Sequence, residues 1–127
     1  MRGEWMVAAV AFLAFGCTEK KNPAPDRAFN PGPVPVALTS GETLFNQNCS
    51  SCHGNLAMGT DQGAPLVHII YEPNHHSDEA FRRAVSLGVI PHHWSFGPMK
   101  PQAAVSPEQV EEIIRYVRWL QQKGGIQ

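Results

Sequence analysis

Three side chains that could hold a prosthetic group lie within five residues of one another. Cys49 and Cys52 are thiols separated by two residues, and His53 follows the second thiol directly. Residues three apart share one face of a helix, so both thiols can reach one edge of a macrocycle while the imidazole lies beneath its metal. This C-x-x-C-H spacing is the attachment pattern of c-type haem, and it predicts one covalently bound haem with His53 as an axial ligand of the iron.

A C-x-x-C pair alone also occurs in redox dithiols and in zinc sites. A redox dithiol is expected within a βαβ pattern, and no such pattern flanks Cys49 and Cys52. A zinc ribbon needs a second pair of ligands, and the only other cysteine in the chain is Cys17. The adjacent His53 therefore favours haem.

A six-coordinate iron needs a second axial ligand, and two methionines are candidates. Met58 follows His53 so closely that it would have to double back around the haem edge, whereas Met99 lies far along the chain. Pro98 and Pro101 stiffen the segment around Met99 and lower the entropy cost of presenting its thioether. We therefore predict Met99 as the sixth ligand. In the alternative, a histidine is the sixth ligand and Met99 is a core residue that fills a gap in the packing.

Five further histidines are unassigned: His68, His75, His76, His92 and His93. Adjacent histidines on an irregular loop are expected to point in different directions, so neither pair by itself is predicted to chelate a metal. We expect these side chains to hydrogen-bond the haem propionates or the backbone. A second metal site, for example for copper, is the alternative, because imidazole suits that metal.

The N-terminal residues 1–16 are typical of a signal peptide. Eleven uncharged, mostly apolar residues from Trp5 to Phe15 would form a helix of about 16 Å, too short for a hydrocarbon core of about 30 Å. Leu13 to Cys17 resembles the lipobox of bacterial lipoproteins, although Ala14 stands where that family usually has leucine. The resemblance implies that Cys17 is lipidated and anchors the protein to a membrane. An ordinary signal peptide or an uncleaved anchor is the alternative.

Residues 17–37 are predicted to be a disordered tether that begins at the lipidated Cys17. The segment lacks a periodic apolar pattern and is rich in proline, at Pro23, Pro25, Pro31, Pro33 and Pro35. It could reach about 60 Å at roughly 3.1 Å per residue.

Residues 38–127 are predicted to form an all-α domain of three helices. The first is expected to begin with a capping box at Thr39 and Glu42 and to run into the cysteine motif. Ser77 and Gly88 should bound the second helix, and Ser106-Pro107-Glu108-Gln109 should open the third. Three short helices make a thin core, which an apolar macrocycle would complete. The net charge of −1 and the lack of a basic run indicate no nucleic-acid partner.

The order of these motifs resembles the class I cytochrome c family. The resemblance covers residues 38–124 and rests on the helix before Cys49–Gly54, the Gly63-Ala64-Pro65-Leu66 segment, a middle helix, Pro98-Met99 and a C-terminal helix. It implies that the carbonyl of Pro65 accepts a hydrogen bond from His53. It also implies that Phe45 packs on Tyr116 or Trp119. One departure is Met99-Lys100-Pro101, where the family usually has Met-Pro.

These patterns together predict a membrane-tethered single-electron carrier that faces the periplasm or the cell exterior. Its donor and acceptor would be redox proteins associated with the same membrane, and no residue set for non-haem catalysis is apparent. Two alternatives remain open: a haem subunit held permanently in a larger oxidoreductase, and a haem enzyme or gas sensor with a labile sixth ligand.

Overall fold

The computed structural model describes residues 28–127, and this part of the chain is helical. It contains α1 (Thr39–Asn48), α2 (Ser50–His53), α3 (Asp78–Leu87) and α4 (Pro107–Lys123), with single 3-10 turns at Val36–Leu38, Asn55–Ala57 and Ile69–Tyr71. Between residues 28 and 127 there is no β-strand, and an isolated antiparallel bridge pairs Val89 with Met99. The predicted all-α fold class is confirmed. None of the helices in this range is long and apolar enough to cross a membrane.

Helix α1 begins where the sequence predicts, but without the predicted capping box. Its N-cap is Leu38, and no side chain caps the helix. The 3-10 turn at Val36–Leu38 runs directly into α1, so Thr39 already has helical dihedral angles of −61° and −35°. The N-cap is the residue before the first helical position, and Thr39 is already the first residue of α1, so its side chain does not cap the helix.

Helices α3 and α4 have the predicted boundaries. Ser77 precedes α3 in extended conformation and Gly88 follows it at a φ of 78°, although the Ser77 side chain makes no capping bond. At α4 the capping box is complete: the Gln109 amide donates to Ser106 Oγ (3.3 Å) and the Ser106 amide donates to Gln109 Oε1 (2.9 Å). Pro107 occupies the first turn, where its missing N–H costs no hydrogen bond.

The core lies between α1 and α4. Phe45 and Tyr116 are fully buried, and their ring centroids are 5.8 Å apart, which confirms the predicted aromatic contact between the first and last helices. The other buried members of this cluster are Ala57, Ile113, Val117 and Leu120. Helix α4 therefore provides the surface on which the cysteine-bearing half of the domain packs.

Polar side chains of α4 form hydrogen bonds with α3 and with the loop before it. Arg82 of α3 donates to both carboxylate oxygens of Glu111 at 2.6 and 3.0 Å. Arg118 donates to the carbonyl oxygens of Tyr71 (2.8 Å) and His76 (2.6 Å). The buried Gln121 donates from Nε2 to the carbonyl oxygens of Leu66 (2.8 Å) and Tyr71 (3.0 Å). The bonds of Arg118 and Gln121 fix the loop before α3, which has little regular structure of its own.

The end of the predicted tether contacts the domain. Phe29 and Val34 are partly buried against the core cluster. Most other residues of the 28–37 segment are exposed, and these two side chains carry contacts with the core before residue 38, where we predicted the domain boundary. The predicted signal peptide, the lipidation site at Cys17 and the tether up to residue 27 lie outside the described residues.

Candidate functional site

The two thiols and the imidazole of the motif lie within about one helical turn. The amide of Cys49 donates to the carbonyl of Phe45 (2.8 Å), and the amide of His53 donates to the carbonyl of Cys49 (2.9 Å). The backbone therefore continues from α1 into α2 with a change of direction at Cys49, whose φ is −122°. Both thiols are free; Cys49 is partly buried and Cys52 is exposed. This is the one-turn arrangement that the C-x-x-C-H spacing predicts.

The environment of Cys49 disfavours its thiolate form. Burial, with a smaller contribution from the neighbouring Cys52, raises the pKa of Cys49 to about 11. Nucleophilic redox dithiols and metal-binding thiols need the thiolate, and their sites lower the pKa of cysteine. Cys49 is instead a neutral, half-buried thiol, which suits covalent attachment to an apolar group better than dithiol exchange.

A short hydrogen bond fixes the imidazole of His53. Its Nδ1 lies 2.8 Å from the carbonyl oxygen of Ala64. A carbonyl can only accept, so Nδ1 carries the proton and Nε2 keeps its lone pair for a metal. Burial lowers the pKa of His53, which favours the neutral ring. We predicted that the carbonyl of Pro65 accepts this hydrogen bond, and the observed acceptor is the residue before it, Ala64.

The loop after His53 brings the Ala64 carbonyl into place. The amide of Gly59 donates to the carbonyl of His53 (2.6 Å), and Thr60 Oγ1 donates to the carbonyl of Cys52 (2.6 Å). A Cβ on Gly63 would lie 2.6 Å from the carbonyl oxygen of Cys52, so Gly63 permits the close approach of the returning chain. Sequence reasoning missed Thr60 and Ala64, because neither residue type by itself signals a contact with the motif.

Two non-glycine residues in this loop have left-handed backbone. The φ angles of Leu56 and Ala57 are 51° and 58°, a region that is uncommon for residues with a side chain. The carbonyl of Ala57 accepts from the amides of Leu66 (2.8 Å) and Val67 (3.2 Å). These bonds and the burial of Ala57 hold the unfavourable conformation, so the loop has a defined shape beside His53.

The two candidate methionines lie in different segments. Met58 ends the 3-10 turn directly after the motif, and its amide donates to the carbonyl of Asn55 (3.2 Å). Met99 lies between α3 and α4, where its amide and carbonyl both pair with Val89 at 3.0 Å. Gly88 makes room for this pairing, since a Cβ there would lie 2.5 Å from the carbonyl oxygen of Met99. The backbone of Met99 is thus anchored on both polar groups, and both methionine side chains are partly buried.

The two histidine pairs lie next to each other in the structure. The rings of His92 and His93 contact those of His75 and His76, with centroids of His75 and His93 5.5 Å apart and those of His76 and His93 5.4 Å apart. Burial lowers the pKa of His76, and nearby His75, His92 and Arg118 lower it further, against a hydrogen bond from Nδ1 to the carbonyl of Ile70. Side chains of both pairs therefore form one cluster.

The residues present fit a covalently attached haem. The motif offers two unoxidised thiols on one helical turn and an imidazole nitrogen whose partner nitrogen is already hydrogen-bonded. A comparison with protein families finds that the model described as Cytochrome c matches residues 38–121. Searches of curated proteins and of solved structures each returned no match. Because the family match covers most of the chain, this protein belongs to the cytochrome c family, whose members carry covalently bound c-type haem, transfer electrons and so have redox partners.

Proposed function

We propose that this protein is a one-electron carrier whose single haem is bound through Cys49 and Cys52 and ligated by His53 and Met99. The observation that supports the proposal most directly is the 2.8 Å contact between His53 Nδ1 and the carbonyl oxygen of Ala64. It orients the ring, sets the tautomer and increases the basicity of Nε2. This is the arrangement expected of an axial ligand and not of a surface histidine.

The bound haem would supply the one-electron chemistry, and the chain would tune and protect it. His53 would hold one axial position through its neutral ring. Met99 would hold the other from a segment whose backbone is tied to Val89 and bordered by Pro98 and Pro101. A histidine–methionine pair raises the reduction potential relative to other axial sets, and retention of both ligands closes the iron to substrates. The proposal therefore assigns no enzymatic activity to the chain.

We place the carrier on a membrane, exported to the periplasm or cell exterior and anchored by lipidated Cys17. This part of the proposal rests on the resemblance of Leu13–Cys17 to a lipobox and on the short apolar segment before it. Because Phe29 already packs on the core, residues 18–28 would span at most about 35 Å at ~3.1 Å per residue. Donor and acceptor proteins would then have to lie within that distance of the same membrane surface.

Optical spectra of the oxidised and reduced protein test the axial ligation. In Met99→Ala we expect loss of the sulfur-to-iron charge-transfer absorption of the ferric protein, a change of spin state, and carbon monoxide binding by the ferrous protein. Met58→Ala is the matched control, because it removes the other methionine of residues 28–127 and should leave all three properties unchanged. If Met58→Ala shows the effect, or if wild-type ferrous protein binds carbon monoxide readily at neutral pH, the assignment of Met99 is wrong.

A further inference from the structure

Four histidines from two loops form a cluster. His75 and His76 lie between the Ile69–Tyr71 turn and α3, and His92 and His93 lie between α3 and Met99. One imidazole nitrogen from each of His75, His76 and His93 lies within 4.8 Å of the other two. Metal–nitrogen bonds of about 2.0–2.1 Å place the ligand nitrogens of a tetrahedral site about 3.4 Å apart. The three nitrogens would therefore need to approach one another by only about 1.4 Å or less to share one ion.

One ligand is already oriented as metal-binding histidines are. Nδ1 of His76 lies 2.7 Å from the carbonyl oxygen of Ile70. The carbonyl can only accept, so Nδ1 of His76 is the protonated nitrogen and Nε2 is left to bind a metal. Metal-ligating histidines almost always donate their second ring nitrogen in this way.

Arg118 of α4 holds the backbone next to the histidine cluster by hydrogen bonds. Arg118 donates to the carbonyl of His76 at 2.6 Å and to Asp78 Oδ1 at 2.8 Å, and only 13 % of its side-chain surface is exposed. On the other loop, Trp94 donates from Nε1 to the hydroxyl of Tyr71 (3.1 Å), which joins the segment after His93 to the segment before His75. The two histidine-bearing loops are thus fixed relative to each other before any ion binds.

We propose that His75, His76 and His93 form a second metal site, separate from the haem, that binds one Cu²⁺ or Zn²⁺ ion. The donor set consists of three imidazoles without a carboxylate, which suits copper and zinc and excludes magnesium and calcium, since these prefer oxygen ligands. Copper binds more tightly than zinc at such nitrogen sites, so it is the first probe. His75 is exposed, which gives an ion access from solvent.

The test uses the haem-loaded full chain purified without a histidine tag. After treatment with a chelator and desalting, Cu²⁺ is titrated in the presence of glycine as a competing ligand, and Zn²⁺ is titrated separately. We expect one ion per chain by calorimetry and elemental analysis, and an electron paramagnetic resonance spectrum of Cu²⁺ with several equivalent nitrogen ligands. His76→Gln and His93→Gln should each weaken Cu²⁺ binding by at least about tenfold.

Two further variants make the result decisive. His75→Ala changes an exposed ring and should weaken Cu²⁺ binding as much as the His76 and His93 variants do. It therefore still tests the proposal if a variant of His76 or His93 fails to fold. The matched control is His68→Gln, because His68 packs on Trp94 but contributes no nitrogen to the three-histidine set. The haem absorption spectrum of every variant reports folding without metal. Wild-type protein that retains no ion, or binding weakened by His68→Gln and not by His75→Ala, would overturn the proposal.

Discussion

The backbone of Gly41 in α1 lies directly against the carbonyl oxygen of Glu112 in α4. A Cβ at Gly41 would overlap that oxygen and would lie 3.0 Å from the Cβ of Tyr116. The two helices can approach this closely only because position 41 has no side chain. The same approach allows the rings of Phe45 and Tyr116 to meet one turn further along α1.

Gly41→Ala should therefore destabilise the domain although alanine is the better helix former. The added methyl group would push α1 away from α4, and overpacking of this kind costs about 1–3 kcal/mol. Urea unfolding of the haem-loaded protein measures the change. Ser40→Ala is the control, because Ser40 is exposed on the same helix and its substitution should change stability by less than about 0.5 kcal/mol. Equal stability of the two variants would contradict this description of the helix contact.

Tyr116→Phe should preserve or increase stability at neutral pH. The hydroxyl of Tyr116 is buried, and it has no hydrogen-bond partner among the described residues, so its removal relieves a desolvation cost. Unfolding midpoints of the two proteins provide the measurement. A clear loss of stability in Tyr116→Phe would show that the hydroxyl has a partner in the haem-loaded protein.

The same tyrosine predicts a loss of stability at alkaline pH. Burial, with a smaller effect of the Glu42 carboxylate, raises the pKa of Tyr116 from 10.0 to about 12. The unfolded chain then loses the hydroxyl proton at lower pH than the folded protein. The contribution of the protonated tyrosine to the free energy of unfolding is therefore full below about pH 10 and is lost as the pH rises towards 12. Urea unfolding of wild type and Tyr116→Phe at a series of alkaline pH values should show a steeper decline in wild type. Parallel declines would contradict the pKa assigned to Tyr116.

Arg118→Lys should destabilise the loop between Leu66 and α3. A lysine ammonium cannot reproduce the planar donors that bond the carbonyls of Tyr71 and His76, and loss of hydrogen bonds to a charged group costs about 1.5–3 kcal/mol. Hydrogen exchange of this loop and urea unfolding are the measurements. Arg115→Lys on the same helix is the control, because Arg115 is exposed and its ion pair with Glu112 lies at the surface. The description of Arg118 fails if both substitutions have the same effect.

Gly63→Ala should reduce haem incorporation. A methyl group there would lie 2.6 Å from the carbonyl oxygen and 3.0 Å from the Cβ of Cys52, so it would displace either a proposed attachment residue or the Ala64 carbonyl that holds His53. The ratio of haem to protein absorbance after identical expression measures the effect. Gly97→Ala is the control, since a Cβ at Gly97 meets no atom within 4 Å. Equal haem content in the two variants would contradict the role given to Gly63.

Features set by local sequence could be predicted. The Ser106–Gln109 capping box depends on residues three apart in the chain, and the C-x-x-C-H motif depends on one helical turn. The failed capping box at Thr39 shows the limit of that reasoning, because the preceding 3-10 turn had already placed Thr39 inside the helix.

Features that depend on loop backbone could not be predicted in the same way. A carbonyl carries no side-chain signature, so sequence reasoning chose Pro65 where the structure has Ala64 as the acceptor for His53. The left-handed conformations of Leu56 and Ala57 likewise have no signal in those residue types. A second metal site was left open as an alternative, but the proximity of the two histidine pairs was not predicted, because they belong to loops on either side of α3 that tertiary contacts bring together.

The pairing of α1 with α4 also imposes an order on the biosynthesis of the domain. Tyr116 is translated long after Phe45, and contacts between residues so distant in sequence form late because a large loop must close first. The segment from Cys49 to His53 is therefore synthesised well before the core that stabilises it. During that interval the thiol of Cys49 is open to modification, and packing of the last helix reduces this access because Cys49 is partly buried against the core in the folded domain.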